Sequence, residues 1–190
     1  MGYSQAEKVE SHDRIVHIAA TRFRENGLNG IGVADLMRDA GLTHGGFYRH
    51  FASRDELVVE AVERALQEGA RALDAVASIS KTPLAAVVDA YLSPAHCNHL
   101  GTSCAVTTLA SDVARGNDRA RAAYTRQVGK YLELLTKLIP GGGPRSKRKR
   151  AIAALSTLVG ALSMARAVNN KKLSLEILNS AADELKAQFG

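Results

Sequence analysis

One group of residues in this chain combines positive charge with small side chains over a short distance. The segment Leu42–Arg54 contains no acidic residue and carries His44, Arg49, His50 and Arg54. Guanidinium and imidazole groups on an acid-free segment suit contacts with the phosphates of a nucleic acid. The segment is therefore a candidate polyanion-binding surface.

A second group places two histidines and two cysteines within nine residues: His96, Cys97, His99 and Cys104. Cys104 is predicted to lie where a helix begins, and the positive end of a helix favours a reactive thiolate. Three interpretations stay open. The cysteines are ordinary buried residues, or Cys104 and Cys97 form a redox or electrophile sensor with Cys104 attacking and Cys97 resolving, or the cluster binds a metal. The spacing matches no familiar zinc pattern, so we predict neither a metal site nor a cofactor.

Length and composition limit the protein class. The chain has 190 residues, 46% hydrophobic and 23% charged, with a formal charge of +6. No stretch reaches the roughly 18–20 apolar residues of a membrane span. Two cysteines without a visible secretion signal favour a reducing, cytoplasmic setting. Residues 1–56 carry seven Lys/Arg and eight Asp/Glu, so the positive excess lies beyond them.

Apolar residues recur with helical spacing along almost the whole chain, which predicts an all-α fold of about nine helices. Residues 1–52 are predicted to form a three-helix helix-turn-helix domain, and residues 53–190 a larger helical domain for effector binding and dimerisation. Residues 94–103 are expected to be irregular, followed by one helix from Cys104 to Arg115. The basic run Arg145–Arg150, which precedes the next helix, is interpreted as a solvated surface loop, with nonspecific phosphate contacts as the open alternative.

The third short helix, around residues 43–50, has the composition of a helix that contacts DNA. Gly41 supplies the preceding turn, and Phe47 and Phe51 face the core. Gly45 and Gly46 lower helix propensity by about 1 kcal/mol each but let the backbone approach a duplex closely. The polar residues that remain outward-facing are Thr43, His44, Tyr48, Arg49 and His50.

The run GLTHGGFYRHFASRDEL, residues 41–57, resembles the recognition segment of the TetR family, as do Asp35-Leu36-Met37 with Ala40-Gly41 and Phe23 with Gly27. The resemblance covers about 45 residues and implies a dimeric, helix-turn-helix repressor of cytoplasmic type. It departs from the family pattern at Ile31-Gly32, where Thr-Thr is common, so one phosphate-binding hydroxyl is missing.

The resemblance implies DNA contacts by Thr43, Gly45, Tyr48 and His50, and a phosphate contact by Arg54. His44, Gly46 and Arg49 occupy its variable positions, where we expect sequence readout; arginine can bind guanine O6 and N7 with two hydrogen bonds.

The rest of the chain is expected to sense a ligand and to pair two copies. The last two helices are predicted to form the homodimer. The penultimate helix has two apolar stripes, one packing the protomer's own core and the other the partner; they are Ile152, Leu155, Val159 and Leu162, and Ala154, Leu158, Ala161 and Ala165. Candidate ligand-binding residues are Tyr91, Cys104, Tyr124, Tyr131 and Met164.

We therefore expect a ligand-responsive transcriptional repressor that binds a palindromic double-stranded operator and is released by a small molecule or reactive species. Alternatives are a DNA-binding protein with no effector and a small enzyme using the Cys/His cluster. No nucleophile motif with a supporting glycine-rich or strand context accompanies that cluster, which argues against an enzyme.

Overall fold

The computed structural model describes residues 5–189, and every regular element in that range is a helix. The ten α-helices are α1 (Gln5–Asn26), α2 (Val33–Asp39), α3 (Arg54–Ile79), α4 (Pro83–Tyr91), α5 (Pro94–Asn98), α6 (Ala105–Thr108), α7 (Ala110–Ala114), α8 (Asp118–Leu138), α9 (Pro144–Ala167) and α10 (Lys171–Phe189). Two short 3-10 helices, His44–Arg49 and Leu100–Thr102, complete the set. The all-α prediction is confirmed.

Glycines end the first two helices, as the sequence predicts. Gly27 has φ +76° and its N–H donates to the Phe23 carbonyl at 2.8 Å, and Gly41 has φ +71° and follows Ala40, the C-cap of α2. Both angles lie in the left-handed region, where a Cβ would meet the following carbonyl. The two turns bring α2 and the first 3-10 helix back across α1, around a core of Ile15, Phe23 and Leu36.

A serine cap and a set of ion pairs hold α3 against α1. The Ser53 hydroxyl accepts the Glu56 N–H at 3.2 Å and so caps the first turn of α3. Along the interface, the Arg24 guanidinium is 4% exposed and donates to the Glu68 carboxylate at 2.8 Å. His12 bonds Glu60 at 2.7 Å near the other end. These contacts fix the orientation of α1, and with it α2 and the 3-10 helix His44–Arg49, relative to α3.

Helices α3 and α8 run side by side in the same direction. Arg54 shares a cleft with Asn117 at their start, and Glu63 pairs with Arg126 at 2.8 Å. Gly69 lies against Tyr131 farther along. Over its 21 residues α8 therefore leads the chain about 30 Å away from the first three helices.

Helices α9 and α10 pack against each other and against α8 and α4. The Ala154, Leu158, Ala161 and Ala165 stripe is buried inside this packing, together with Leu155 and Leu162 of the other predicted stripe. The buried apolar residues form one continuous core through the described part of the chain. Between residues 5 and 189 no helix is both long and apolar enough to span a bilayer.

Three sequence-based expectations about helix positions are wrong. Residues 94–98 are helical rather than irregular, because the Ser93 hydroxyl caps the His96 N–H at 3.1 Å and Pro94 follows at the first helical position. The predicted helix from Cys104 to Arg115 is interrupted at Leu109. The run 145–150 is not a loop but lies within α9, which begins at Pro144.

Candidate nucleic-acid interface and effector cavity

Two buried phenylalanines anchor the 3-10 helix His44–Arg49. Phe47 and Phe51 are 2% and 1% exposed, and their rings stack 5.4 Å apart. Phe51 also stacks on the His12 ring of α1 at 4.5 Å. At the other end, the Leu42 N–H donates to the Met37 carbonyl at 2.8 Å. The helix is thus fixed from both ends, and its orientation does not depend on its own weak propensity.

The opposite side of this helix is an exposed polar edge. The Tyr48 side chain is 74% exposed, and Thr43, His44, Gly45 and Arg49 are exposed as well. Tyr48 is therefore not part of the core. A Cβ at Gly45 would meet nothing within 4 Å, so the absent side chain relieves no internal contact and leaves the backbone open to a partner. Thr43 occupies the N-cap position without a side-chain cap bond, so its hydroxyl is available.

His50 lies half-buried at the end of this edge, and its buried Nδ1 has no hydrogen-bond partner within the described residues. Burial lowers the pKa of His50, and the nearby groups His12, Lys8 and Arg49 lower it further. The ring is therefore neutral near pH 7. A neutral imidazole can donate one hydrogen bond to a phosphate oxygen.

An open cleft of about 570 Å³ adjoins the edge. Its lining includes Lys8, Thr43, Gly46, Arg49 and His50. Lys8, on the first turns of α1, was missed by the sequence reasoning. No pattern in the sequence indicates it, because only the packing of α1 across the 3-10 helix brings its ammonium group to this side.

Arg54 does not lie on the exposed edge, and its expected phosphate contact stays a prediction. Its guanidinium turns back and donates to the carbonyls of Leu28 and Ile31, above the Phe23 ring at 6.0 Å. The two carbonyls belong to the loop between α1 and α2, which has no side-chain cap at Gly32. Arg54 is thus a structural tie between α3 and that loop.

A second site lies between α3, α4 and α8. A cavity of about 180 Å³ has mainly apolar walls, and its lining is Gly69, Ala72, Leu73, Val76, Ala90, Tyr91, His96, Thr102, Cys104 and Tyr131. Three of the five predicted ligand-binding residues, Tyr91, Cys104 and Tyr131, therefore share one cavity. The Tyr124 hydroxyl instead donates to the Val106 carbonyl at 2.8 Å, and Tyr124 is not among the lining residues. Met164 is 56% exposed on the outer side of α9 and does not line this cavity.

Hydroxyl and thiol groups provide the polar part of the cavity. The Tyr91 hydroxyl bonds the Thr107 hydroxyl at 2.7 Å, and the Cys104 Sγ lies 3.6 Å from the Tyr131 hydroxyl. Burial raises the pKa of both tyrosines, so both phenols stay protonated at neutral pH. A ligand in this cavity meets neutral hydrogen-bonding groups rather than a fixed charge.

His96 and Arg166 hold the segment that forms one wall of the cavity. His96 Nδ1 donates to the Tyr91 carbonyl at 2.6 Å, and Nε2 accepts the Cys104 N–H at 3.0 Å, which only a neutral ring allows. Arg166 donates to the carbonyls of Cys97 and His96, at 3.0 and 2.7 Å, and to Ser103. The segment 96–104 is thereby fixed to α4 and α9.

The geometry of the His/Cys cluster argues against the metal interpretation. Both nitrogens of His96 are engaged by the backbone, and His99 Nδ1 bonds the Ala95 carbonyl at 2.8 Å. Within residues 5–189 no group of three or more His, Cys, Asp or Glu residues could hold a metal ion. Cys97 and Cys104 are both free and buried, and only Cys104 reaches the cavity.

The His96 contacts predict a pH dependence of stability. Burial lowers the pKa of His96 from 6.5 and Arg166 lowers it further, although the bond to Tyr91 raises it. The unfolded chain then takes up the proton first as the pH falls, so this contribution is complete above pH 6.5 and is lost below it. We expect the urea midpoint to fall between about pH 7.5 and about pH 5.5, and to fall less in His96→Gln. The matched variant, His99→Gln on the exposed neighbour, should retain the full decrease; equal decreases in all three proteins would contradict the prediction.

Comparisons with known proteins agree with the geometry of the exposed edge. Residues 15–61 match the model of bacterial regulatory proteins of the tetR family. An HTH-type transcriptional repressor, KstR2 of Mycolicibacterium smegmatis, is 32% identical over 57 residues, which are 30% of this chain and 28% of the repressor. The aligned part is thus less than a third of that relative's length.

Solved structures extend the similarity in fold to nearly the whole chain. A TetR transcriptional regulator from Chloroflexus aurantiacus superposes with a TM-score of 0.81 at 22% identity, covering 96% of this chain and 97% of that one. A TetR-family regulator from Cytophaga hutchinsonii gives 0.80 at 17% identity and 98% of both chains. The reduced form of E. coli NemR gives 0.78 at 18% identity, covering 94% and 96%.

Proposed function

Residues 15–61 place the chain in the TetR family of bacterial regulatory proteins, and from this premise we propose that it is a dimeric, ligand-responsive transcriptional repressor. The observation that carries the proposal is the exposed polar edge of the 3-10 helix, held over two buried phenylalanines and interrupted by Gly45. A narrow, rigid, acid-free edge of this kind fits the major groove.

The roles of the edge residues follow from their chemistry. Arg49 and His44 are exposed and carry donors that can bind base edges, with Arg49 suited to guanine. Thr43, Tyr48 and His50 present hydroxyl and imidazole groups that suit phosphate oxygens. Lys8 adds a positive charge on the cleft side. Gly45 and Gly46 allow the backbone to approach the duplex.

Dimerisation is proposed through the outer side of α9 with α10. Because the predicted alanine stripe is buried within the protomer together with Leu155 and Leu162, the available side keeps only Ile152 from the predicted stripes as an exposed apolar residue. Its members are small or apolar, and they are Ile152, Ala153, Ser156, Gly160, Ser163, Met164 and, on α10, Leu173. A Cβ at Gly160 would meet nothing within 4 Å in the protomer. Small uncharged residues let two helices pack closely, and a twofold axis turns one such side into a complete interface.

The effector is proposed to occupy the cavity beside Gly69. A volume of about 180 Å³ is below the roughly 300–1,000 Å³ of sites for drug-sized ligands, so a compact molecule fits. The apolar walls favour a mostly hydrophobic body, and the Tyr91, Tyr131 and Thr102 hydroxyls favour one or two polar atoms.

The cavity has two physical connections to the DNA-binding helices. Gly69 lies on α3, which begins directly after the DNA-binding helices. Thr102 and Cys104 lie on the segment whose Gly101 packs on α1, where an added Cβ would meet Glu25 Oε1 at 2.6 Å and Thr21 Cγ2 at 2.9 Å. An occupant that widens the cavity therefore moves α1 and α3. It releases DNA only if it binds the released state more tightly.

Cys104 supports a second form of this proposal, in which a reactive species rather than a bound ligand releases the DNA. Its thiol lines the cavity and is 4% exposed, so an electrophile small enough to enter reaches it. With an aldehyde, sulfur would bond to the carbonyl carbon while the C=O π bond opens, and the thiol proton would end on the resulting hydroxyl. Mass spectrometry of the intact protein after mild aldehyde treatment should show one adduct, absent in Cys104→Ser and retained in Cys97→Ser. A wild-type protein that stays unmodified would exclude release by a reactive species at Cys104.

A displacement experiment tests the effector proposal. Duplexes selected by the purified protein serve as operator, and a panel of compact metabolites is screened by thermal shift and then by operator release. Gly69→Ala puts a methyl group into the cavity, 2.8 Å from the Tyr131 hydroxyl, and should weaken effector binding by about tenfold or more because the methyl group takes volume that the ligand needs. Gly129→Ala, where a Cβ meets nothing within 4 Å, is the matched control.

The outcomes separate the alternatives. Release by a compact ligand that Gly69→Ala resists and Gly129→Ala does not supports the effector cavity. Silence across the panel, with operator binding intact, favours a DNA-binding protein without an effector. Turnover of a ligand that depends on Cys104 would favour the enzyme instead.

A further inference from the structure

The basic run of α9 lies at the pole opposite the DNA-binding edge. Because α3 and α8 run in the same direction, the contacts Arg54–Asn117, Glu63–Arg126 and Gly69–Tyr131 mark increasing distance from that edge. Helix α8 ends at Leu138, and a short turn leads to α9 at Pro144. The start of α9 is therefore about 30 Å from the DNA-binding helices along the α8 axis. Its charges cannot contact the duplex that those helices hold.

This pole carries an unbalanced positive charge. Residues 134–175 contain nine Lys/Arg and no Asp or Glu. We call the five cations at the pole the distal ridge, namely Lys137, Arg145, Lys147, Arg148 and Lys149. Four of them are exposed and Lys147 is half-buried. Across residues 5–189 the ion pairs found do not include any member of the ridge.

The protein fold does not explain the ridge. Only the neighbouring Arg150 has a structural role, since it donates to the Pro140 carbonyl at 2.8 Å and lies over the Phe189 ring at 5.2 Å. The first turn of α9 contains no acidic residue, although the positive end of a helix favours negative side chains there. Adjacent like charges on one helix also repel each other. The ridge thus costs stability that a polyanionic partner would restore.

We propose that the distal ridge binds the phosphates of a second DNA duplex while the exposed edge holds the operator, so that the protein bridges two DNA segments. The proposal rests on the DNA binding proposed above. Duplex DNA is the polyanion already close to an operator-bound protein, because neighbouring DNA is present at a high effective concentration. Arginine side chains bind phosphate oxygens through two parallel hydrogen bonds, and each neutralised phosphate releases counterions. A dimer presents two ridges.

A capture assay tests the bridge with the full chain. Operator duplexes on beads are loaded with protein, and retention of a second, labelled, non-operator duplex is measured against salt. Wild type should retain it, with retention falling steeply as salt rises. The ridge variant Arg145→Gln, Lys147→Gln, Arg148→Gln, Lys149→Gln should lose at least about tenfold in retention with operator affinity unchanged.

The matched control removes the same charge elsewhere: Arg71→Gln, Lys81→Gln, Arg119→Gln and Lys130→Gln, all of them exposed. It should retain the second duplex as wild type does. Equal losses in both variants, or retention by the ridge variant, would overturn the proposal, as would vesicles of anionic phospholipid binding the ridge in place of DNA. Operator binding without capture would reject the bridge alone, whereas failure of wild type to bind any selected operator would reject the proposed function.

Discussion

Gly160→Arg is expected to convert the dimer into a folded monomer and to lower operator affinity about 10²–10⁴-fold, the range lost when two linked binding events become one. Gly160 lies on the small, uncharged side of α9, and a Cβ there meets nothing within 4 Å in the protomer. The arginine can therefore extend into solvent when the protomer is alone. In a packed twofold interface it would be buried twice without a partner, which proteins avoid at high cost. Sedimentation equilibrium and an operator titration on the same sample measure both effects.

Gly129→Arg is the matched control for this substitution. Gly129 is a helical glycine of α8 with nothing within 4 Å of its Cβ position, so the change adds the same side chain and charge outside the proposed interface. It should leave the dimer and its operator affinity close to wild type. Both variants add one positive charge, which attracts the phosphates of DNA. A loss of operator affinity seen only in Gly160→Arg therefore cannot be an effect of charge. A Gly160→Arg protein that remains dimeric would exclude α9 as the interface.

Arg49→Ala is expected to reduce operator affinity by about 1–3 kcal/mol, or about 5–150-fold, and to remove the base preference at one position of each half-site. Arg49 is exposed on the polar edge, and no hydrogen bond or ion pair within residues 5–189 engages its guanidinium. The substitution should therefore leave stability unchanged, as the urea midpoint can show. Competition binding against operators with single base changes measures the preference.

Arg119→Ala controls for the loss of one positive charge. Arg119 is exposed at the start of α8 and is not one of the residues of the polar edge, so its removal should change the affinity for all sequences slightly and equally. An Arg49→Ala protein that lost affinity uniformly, without any change in base preference, would assign Arg49 to phosphate binding instead.

The sequence predicts the elements that rest on local chemistry. Gly27 and Gly41 end helices because their φ angles are positive, and Ser53 caps α3 through its hydroxyl. The outward position of Tyr48 and Arg49 follows from the two phenylalanines that must be buried beside them. Each of these features depends on a few neighbouring residues, so the pattern alone is sufficient.

Features that depend on distant parts of the chain could not be predicted in the same way. Arg54 faces the α1–α2 loop because that loop leaves two carbonyls within its reach. Met164 is on the outside of α9 because α8 and α10 pack against the other sides of that helix. This depends on how the helices are arranged and not on the spacing of apolar residues in the sequence. The Ser93-Pro94 start of α5 was, by contrast, present in the sequence in the same form as Thr82-Pro83, and could have been found.

A guanine-specific methylation footprint on a selected operator tests the central claim most directly. Wild type should protect guanine N7 atoms in two half-sites about 34–36 Å apart, facing one side of the duplex, since two copies of the exposed edge lie in successive major grooves. Arg49→Ala should lose one protected guanine in each half-site and keep the remaining protection. An operator that is bound without any protection of guanine N7, or a protection pattern unchanged by Arg49→Ala, would contradict it.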